Sequence, residues 1–188
     1  MRIKPKRRIK RDKPEKLAVP LQINQTWSMD FMNDTLADGR TLRTLNVLDD
    51  CNREGLGIEA DLSLPSERVI RCLEQIIEWR GKPRAVRCDN GPEYVSQKLL
   101  DWAQERGIEL LYIQPGKPTQ NAYIERFNRT ARQERLDMHV FESVEHAQDL
   151  AARWLWTYSH DRPHTALGGI APSQWRPGAD AQVCTSAP

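Results

Sequence analysis

No apolar stretch in this chain approaches the roughly 20 residues that a membrane-spanning helix needs, which excludes such a helix from the sequence. A C-x-x-C pair is also lacking. The four cysteines, Cys51, Cys72, Cys88 and Cys184, are scattered and read as reduced cytosolic thiols rather than a disulfide framework. The amino terminus is basic but has no apolar segment behind it, so it does not read as a secretory signal. There is no internal repeat.

What is present suits one soluble globular domain. The chain has 188 residues, 39% hydrophobic and 29% charged, enough to bury a core. The net charge of +2 hides an asymmetry, because residues 1–16 carry nine basic and two acidic residues, leaving −5 on the remainder. A basic arm on a mildly acidic body points to a polyanion partner. Charge alone equally describes a solvated tail, or a nuclear-localisation signal that nothing else in the sequence supports.

Residues 1–20 read as that arm or linker, with Pro5, Pro14 and Pro20 opposing regular structure. Residues 27–32 alternate, Trp27, Met29 and Phe31 on one face and Ser28, Asp30 and Met32 on the other, which predicts a strand. Asp38-Gly39 is a hairpin signal, and strands follow over 41–48 and 56–61. Val69, Ile70, Leu73, Ile76 and Ile77 form a helical stripe over 65–80. A short strand over 84–88 precedes a helix capped by Ser96, carrying Leu99, Leu100 and Ala103 and closed by Gly107. A strand over 108–113, a Pro/Gly loop and a helix over about 119–136 come next. A last helix, capped by Ser143, carries Ala147, Leu150, Ala151, Trp154, Leu155 and Tyr158 and ends before Pro163. Trp154 and Trp156 fall on different faces of it, one for the core and one for an interface. The tail after Pro177 is expected to fray. The order implies an antiparallel three-strand meander extended by crossover strands into a mixed α/β sheet flanked by helices.

Three acids stand out. Asp30 lies mid-strand, where aspartate is disfavoured; it is either on a solvated face or compensated by a partner. Asp89 ends a strand and opens Asp-Asn-Gly-Pro-Glu, which is a turn signal at the strand end where α/β sites collect. Glu93 is a spare carboxylate beside it. Glu125 shares a helical stripe with Asn121, Asn128 and Arg132, while Ile124, Phe127 and Ala131 form a packing face. Thirty-five residues separate Asp89 from Glu125. Three carboxylates brought together can hold hard divalent cations beside a phosphodiester.

The segments Trp-Ser-Met-Asp-Phe (27–31), Arg-Cys-Asp-Asn-Gly-Pro-Glu (87–93) and Gln-Pro-Gly-Lys-Pro-Thr-Gln-Asn-Ala-Tyr-Ile-Glu-Arg-Phe-Asn-Arg (114–129) resemble the signature blocks of bacterial insertion-sequence transposases. A close resemblance is to the second-reading-frame (orfB) product, whose core is similar to retroviral integrase. Tyr158-Ser-His-Asp-Arg-Pro-His164 and Leu167-Gly-Gly-Ile-Ala-Pro172 resemble its carboxy-terminal block, where Asn is more usual than Ser159. The resemblance covers about residues 20–176.

That resemblance implies a ribonuclease H-like α/β fold with a five-stranded mixed sheet. It implies Asp30, Asp89 and Glu125 as catalytic residues and ligands of two Mg²⁺ ions, with Mn²⁺ as a substitute. Arg132, seven positions after the Glu, matches the family's basic residue; Lys117 and Arg129 would grip phosphates, and Asn121 and Asn128 would hold DNA or the Glu. The implied activity is DNA cleavage and 3′-hydroxyl strand transfer. Partners would be element ends and target DNA, a second copy, and the upstream-frame helix-turn-helix product, in the bacterial cytoplasm at the nucleoid. The family carries a helical DNA-binding region before the core, so this chain is expected to be a fragment, a late-start product or a truncated copy. A ribonuclease H-type nuclease without joining, or an inactive DNA-binding remnant, is an alternative. A zinc site at His160 and His164 is a weaker one, because Pro163 interrupts the helix and no cysteine pair accompanies them.

Overall fold

Alternating apolar and polar residues build the first strand, β1 (Thr26–Thr35), of the computed structural model, which describes residues 17, 19–114, 118–134 and 136–177. Strands β2 (Thr41–Asp49) and β3 (Gly55–Asp61) follow it in an antiparallel meander. The loop between β1 and β2 turns through Gly39, whose φ of 88° is open to glycine. After helix α1 (Ser66–Arg80), strand β4 (Ala85–Cys88) pairs in parallel with β1. Helix α2 (Gln97–Arg106) leads to β5 (Glu109–Tyr112), parallel to β4. The sheet order is β3-β2-β1-β4-β5, which places β1 at its centre. A 3-10 turn (Pro118–Asn121), helix α3 (Ala122–Glu134) and helix α4 (Val144–His160) complete the domain.

The two faces of the sheet are both covered. Trp27, Met29, Leu45, Val47 and Val86 pack with Val69, Leu73 and Leu99 of α1 and α2. On the other face, Leu48 and Ile58 pack with Ile124, Phe127, Ala151 and Tyr158 of α3 and α4. The Trp27/Met29 face and the Asp30/Met32 face are those that the alternation predicts.

Caps behave as the sequence implies. The Ser96 hydroxyl accepts from Leu99 N, Gly107 closes α2 in the left-handed region, and the Ser143 hydroxyl accepts from His146 N. Three details differ. The α2 stripe includes buried Trp102, whose indole N–H donates to Glu74, whereas Leu100 sits at the edge of the core and is 36% exposed. Residues 118–121 form a 3-10 turn, so α3 starts at Ala122; tightened turns at helix ends are common. Helix α3 ends at Glu134, and Leu136–Met138 is a separate 3-10 turn. Trp154 is partly buried against Phe127, while Trp156 is 62% exposed and stacks on His160. Cys51, Cys72 and Cys88 are buried and unpaired. Cys184 and the expected tail from residue 178 on lie outside the described residues, as do residues 1–16 and 18 of the arm. Pro20, at the arm's end, is buried, and the Tyr123 hydroxyl donates to the Leu17 carbonyl at 3.1 Å. Among the described residues, no helix is long and apolar enough to cross a membrane.

Two features lock the β2–β3 turn into the body. Asp50, fully buried, accepts from the Ser28 hydroxyl at 2.6 Å and pairs with Arg87 of β4. Gly55 lets α4 approach β3: a Cβ there would collide with Leu155 and stand 2.8 Å from the Phe127 ring. Gly55→Ala is therefore expected to lower stability by about 1–3 kcal/mol, the usual cost of overpacking. Urea denaturation measures it, and an unchanged midpoint would contradict the close packing of α4 on β3.

Candidate active site

Asp30 sits on the central strand, opposite Asn46 of β2. Its Oδ1 accepts from Phe31 N at 2.9 Å and its Oδ2 from Asn128 Nδ2 at 2.8 Å. Asn128 Oδ1 in turn accepts from Asn46 Nδ2 at 2.8 Å. A chain of amides thus joins β2, α3 and the Asp30 carboxylate.

The parallel ladder brings Asp89 to Asp30. Thr26 pairs with Ala85, Trp27 with Val86 and Ser28 with Arg87. Continuing that offset puts Asp89 level with Asp30 on the neighbouring strand, about 5 Å away between backbones. Asp89 Oδ1 accepts from Gly91 N at 2.8 Å, and a Cβ on Gly91 would come within 2.9 Å of that oxygen. Asn90 Nδ2 ties the turn to the Ile113 carbonyl at 2.8 Å. Glu125 lies in the first turn of α3, on the stripe that carries Asn128.

Asp30 lies near enough to Asp89 and Glu125 to feel both charges. Burial pushes the Asp30 carboxyl up to about 6, and the charges of Asp89 and Glu125 push it the same way, against the bonds from Phe31 and Asn128. The three are not drawn into a closed cluster: among the described residues, no three acid, imidazole or thiol side chains stand close enough to hold an ion.

The other predicted residues divide. Asn128 is 8% exposed and uses both ends of its amide inside the protein, one of them on Asp30, so it does not present that amide to DNA. Asn121 is buried and its Oδ1 has no partner. Arg132 donates to the Asn33 carbonyl at 3.0 Å and is half-buried, whereas Arg129 is exposed. Lys117 lies outside the described residues. Gln120 Oε1 accepts from Gln114 N at 2.8 Å across the neck of its loop.

Some residues of the site carry no signal in the sequence. Phe31 stacks on Tyr94 at 4.8 Å, and Arg43 covers the other side of Phe31 at 4.4 Å while bonding Glu93 at 2.6 Å. Burial works against the Glu93 charge, but the Arg43 bond outweighs it and holds the carboxyl below its ordinary value. Glu93, the spare carboxylate beside Asp89, is therefore an anchor for Arg43. Asn46 was missed too, and only the cross-strand pairing with Asp30 exposes it. In the carboxy-terminal block, Ser159 is buried and its hydroxyl donates to the Gly55 carbonyl at 3.2 Å. His160 faces Trp156, whereas His164 sits against Tyr158, so the two do not form the pair a zinc site needs.

A mixed sheet with three antiparallel strands, two parallel crossover strands and acids on its central strands is the ribonuclease H-like fold. Solved structures share it. The chain resembles the magnesium complex of the HTLV-2 integrase catalytic core in its trimeric form, with a TM-score of 0.66, 18% identity, 82% of this chain and 97% of that one. It also resembles a chain of the simian T-cell lymphotropic virus intasome, with a TM-score of 0.72, 20% identity, 92% of this chain and 60% of that one. Residues 20–118 and 106–172 match the integrase core domain, and the chain belongs to that family. Its relatives include an uncharacterized 39.2 kDa protein of insertion element IS476 from Xanthomonas euvesicatoria, 42% identical over all of this chain and 55% of the relative. An uncharacterized 31.7 kDa protein of insertion element IS407 from Burkholderia multivorans is 44% identical over 86% of this chain and 58% of the relative. The chain thus spans little more than half the length of these relatives.

Proposed function

We propose that this chain is the catalytic core of an insertion-sequence transposase, which cuts DNA and joins the freed 3′-hydroxyl to a second phosphodiester. The observation that supports this is the parallel β1–β4 pairing, whose offset carried two residues past Ser28 and Arg87 sets Asp89 beside Asp30, with Glu125 on the helix bonded to Asp30 through Asn128. Residues 21–176 are the core, with residues 1–20 a basic arm and 177–188 a tail.

The donor set fits Mg²⁺, which prefers hard oxygen ligands. Asp30, crowded by two other carboxylates, is where a cation would relieve uncompensated charge. Asp30 and Asp89 would hold one ion and Glu125 would help hold a second, with Mn²⁺ able to substitute. When bound, such a pair activates the attacking oxygen and stabilises the leaving one. In cleavage, a water oxygen bonds to phosphorus and the bond to the 3′ oxygen breaks; the water loses a proton and the departing oxygen gains one. In joining, that 3′ oxygen bonds to a target phosphorus and the target's own P–O3′ bond breaks, so one diester replaces another. Asn128 holds the Asp30 carboxylate in place. Arg129, Arg132 and Lys117 would grip the strand, contacts that position DNA without reading its sequence, and Asn121, buried just before α3, would help hold Glu125. Element ends, target DNA, a second copy of the chain and the upstream-frame helix-turn-helix product are the partners, in the bacterial cytoplasm at the nucleoid.

The test is a labelled branched oligonucleotide carrying an element end, incubated with Mg²⁺, with Mn²⁺ and with excess EDTA. Joined product that needs either metal is expected, with EDTA returning the rate to background. Cleavage without joining would replace this reading by a ribonuclease H-type nuclease. Binding with no product in either metal would replace it by an inactive DNA-binding remnant.

A further inference from the structure

Helix α3 has a second flank that the acids do not use. Tyr123, Arg126, Phe127 and Thr130 repeat at helical spacing and form one wall of a cleft of about 210 Å³. Its other walls are Arg53 of the β2–β3 turn and Tyr158, Arg162 and His164 at the end of α4. Three guanidinium-bearing residues from three separate parts of the chain therefore line one small cavity. Glu134 pairs with Arg162 at its rim, which still leaves an excess of positive charge.

Two polar atoms in this cleft are buried without a partner: Arg53 Nη1 and His164 Nε2. Arg53 reaches its place through a strained backbone, with φ at 60°, a region that residues other than glycine enter where the surroundings require it. Its guanidinium lies over the Tyr123 ring at 3.4 Å. Stacking on Tyr123 and the attraction of Asp50 leave that donor without a hydrogen bond. The His164 ring bonds the Tyr158 backbone, and burial together with Arg162, Arg126 and Arg53 holds its imidazole below the usual value. The same three arginines act on the buried Tyr158 hydroxyl. All three arginines are thus close enough to act on the same two side chains.

The size of the cleft selects the ligand. It is smaller than the roughly 300 Å³ at which small-molecule sites begin, so it suits a single tetrahedral anion rather than a base or a nucleoside. Guanidinium donors match phosphate oxygens in geometry. We propose that this cleft is a phosphate-binding site in which Arg53, Arg126 and Arg162 hold one phosphodiester of the DNA strand engaged by the acids. The assignment of DNA as the source rests on the function proposed above. Glu125 and Arg126 are neighbours on opposite flanks of α3, so the two sites are about 10–12 Å apart, one helix diameter, or about three nucleotides along a strand.

Histidine NMR of the wild-type protein tests it, read at the imidazole of His164 with His146 as an internal control. A short DNA duplex and inorganic phosphate are titrated separately, without divalent metal. DNA is expected to shift the His164 signals to saturation and leave His146 unchanged. In parallel, binding of labelled DNA is followed against salt for the wild type, Arg53→Gln, Arg126→Gln and Lys98→Gln. Each arginine variant is expected to bind about tenfold more weakly and to lose about 0.9 from the slope of log affinity against log salt, while Lys98→Gln matches the wild type. His164 shifted by inorganic phosphate but not by DNA would overturn the phosphodiester assignment and leave a free-phosphate site. His164 unmoved by both would overturn the site itself. DNA joining with an unmoved His164 would remove this proposal and keep the transposase reading; a DNA-shifted His164 in a protein that joins nothing would do the reverse.

Discussion

Asp89→Asn is expected to reduce cleavage and joining by about a thousandfold or more, the scale seen when a charged group at a reacting centre is neutralised, with the fold intact. Asp89 follows the last residue of β4, accepts from Gly91 N of its own turn, and is not a member of the hydrophobic clusters on the two faces of the sheet. An asparagine keeps the acceptor oxygen for Gly91 and loses the charge that a divalent cation needs. Asp30→Asn and Glu125→Gln should be comparably inactive. Single-turnover assays on the branched substrate measure the loss, and circular dichroism verifies the fold. Any one of the three variants retaining near-wild-type rates would remove that residue from the catalytic set.

Asp50→Ala is expected to cost about 3–5 kcal/mol, because it strands the Arg87 guanidinium and the Ser28 hydroxyl in the interior. Against a total stability of about 5–15 kcal/mol, that is enough to leave little folded protein on warming. Burial raises the Asp50 carboxyl above its ordinary value, despite the Ser28 and Arg87 bonds that pull it down. Part of the pair's attraction is therefore already spent against desolvation, and Asp50→Asn, which keeps an acceptor, should be milder than alanine. Urea titrations of the two variants decide it. An alanine variant within about 1 kcal/mol of wild type would mean that water reaches Arg87 freely.

Much of this architecture is legible in the residues. The β1 alternation, the α1 stripe and the Ser96, Gly107 and Ser143 caps follow from spacing and local chemistry, which act over four or five residues. The three acids are visible because each stands in a distinctive local context. What escapes is set by pairing across the fold. Asn46 reads as one polar residue in an apolar strand, and only the cross-strand register makes it the support of Asn128. Glu93 reads as a spare carboxylate with no partner in view until Arg43, fifty residues earlier, is brought beside it. Leu100 looks as apolar as Trp102, but the larger ring is buried with its N–H on Glu74 of α1 and the leucine is left at the edge. Asp50 and Arg87 are unremarkable alone and depend on β4 lying beside β1.

The ladder between β1 and β4 has a further consequence for how the molecule tolerates change. The separation of Asp30 and Asp89 is set by backbone hydrogen bonds and not by the length of chain between them. Residues could be added in the connections around α1 without moving one acid relative to the other. A slip of the ladder by a single residue, by contrast, would turn one carboxylate to the opposite side of the sheet. Insertion and deletion are therefore cheap in the peripheral connections, and the narrow strip of parallel pairing from Thr26 to Ser28 is where the molecule has no slack.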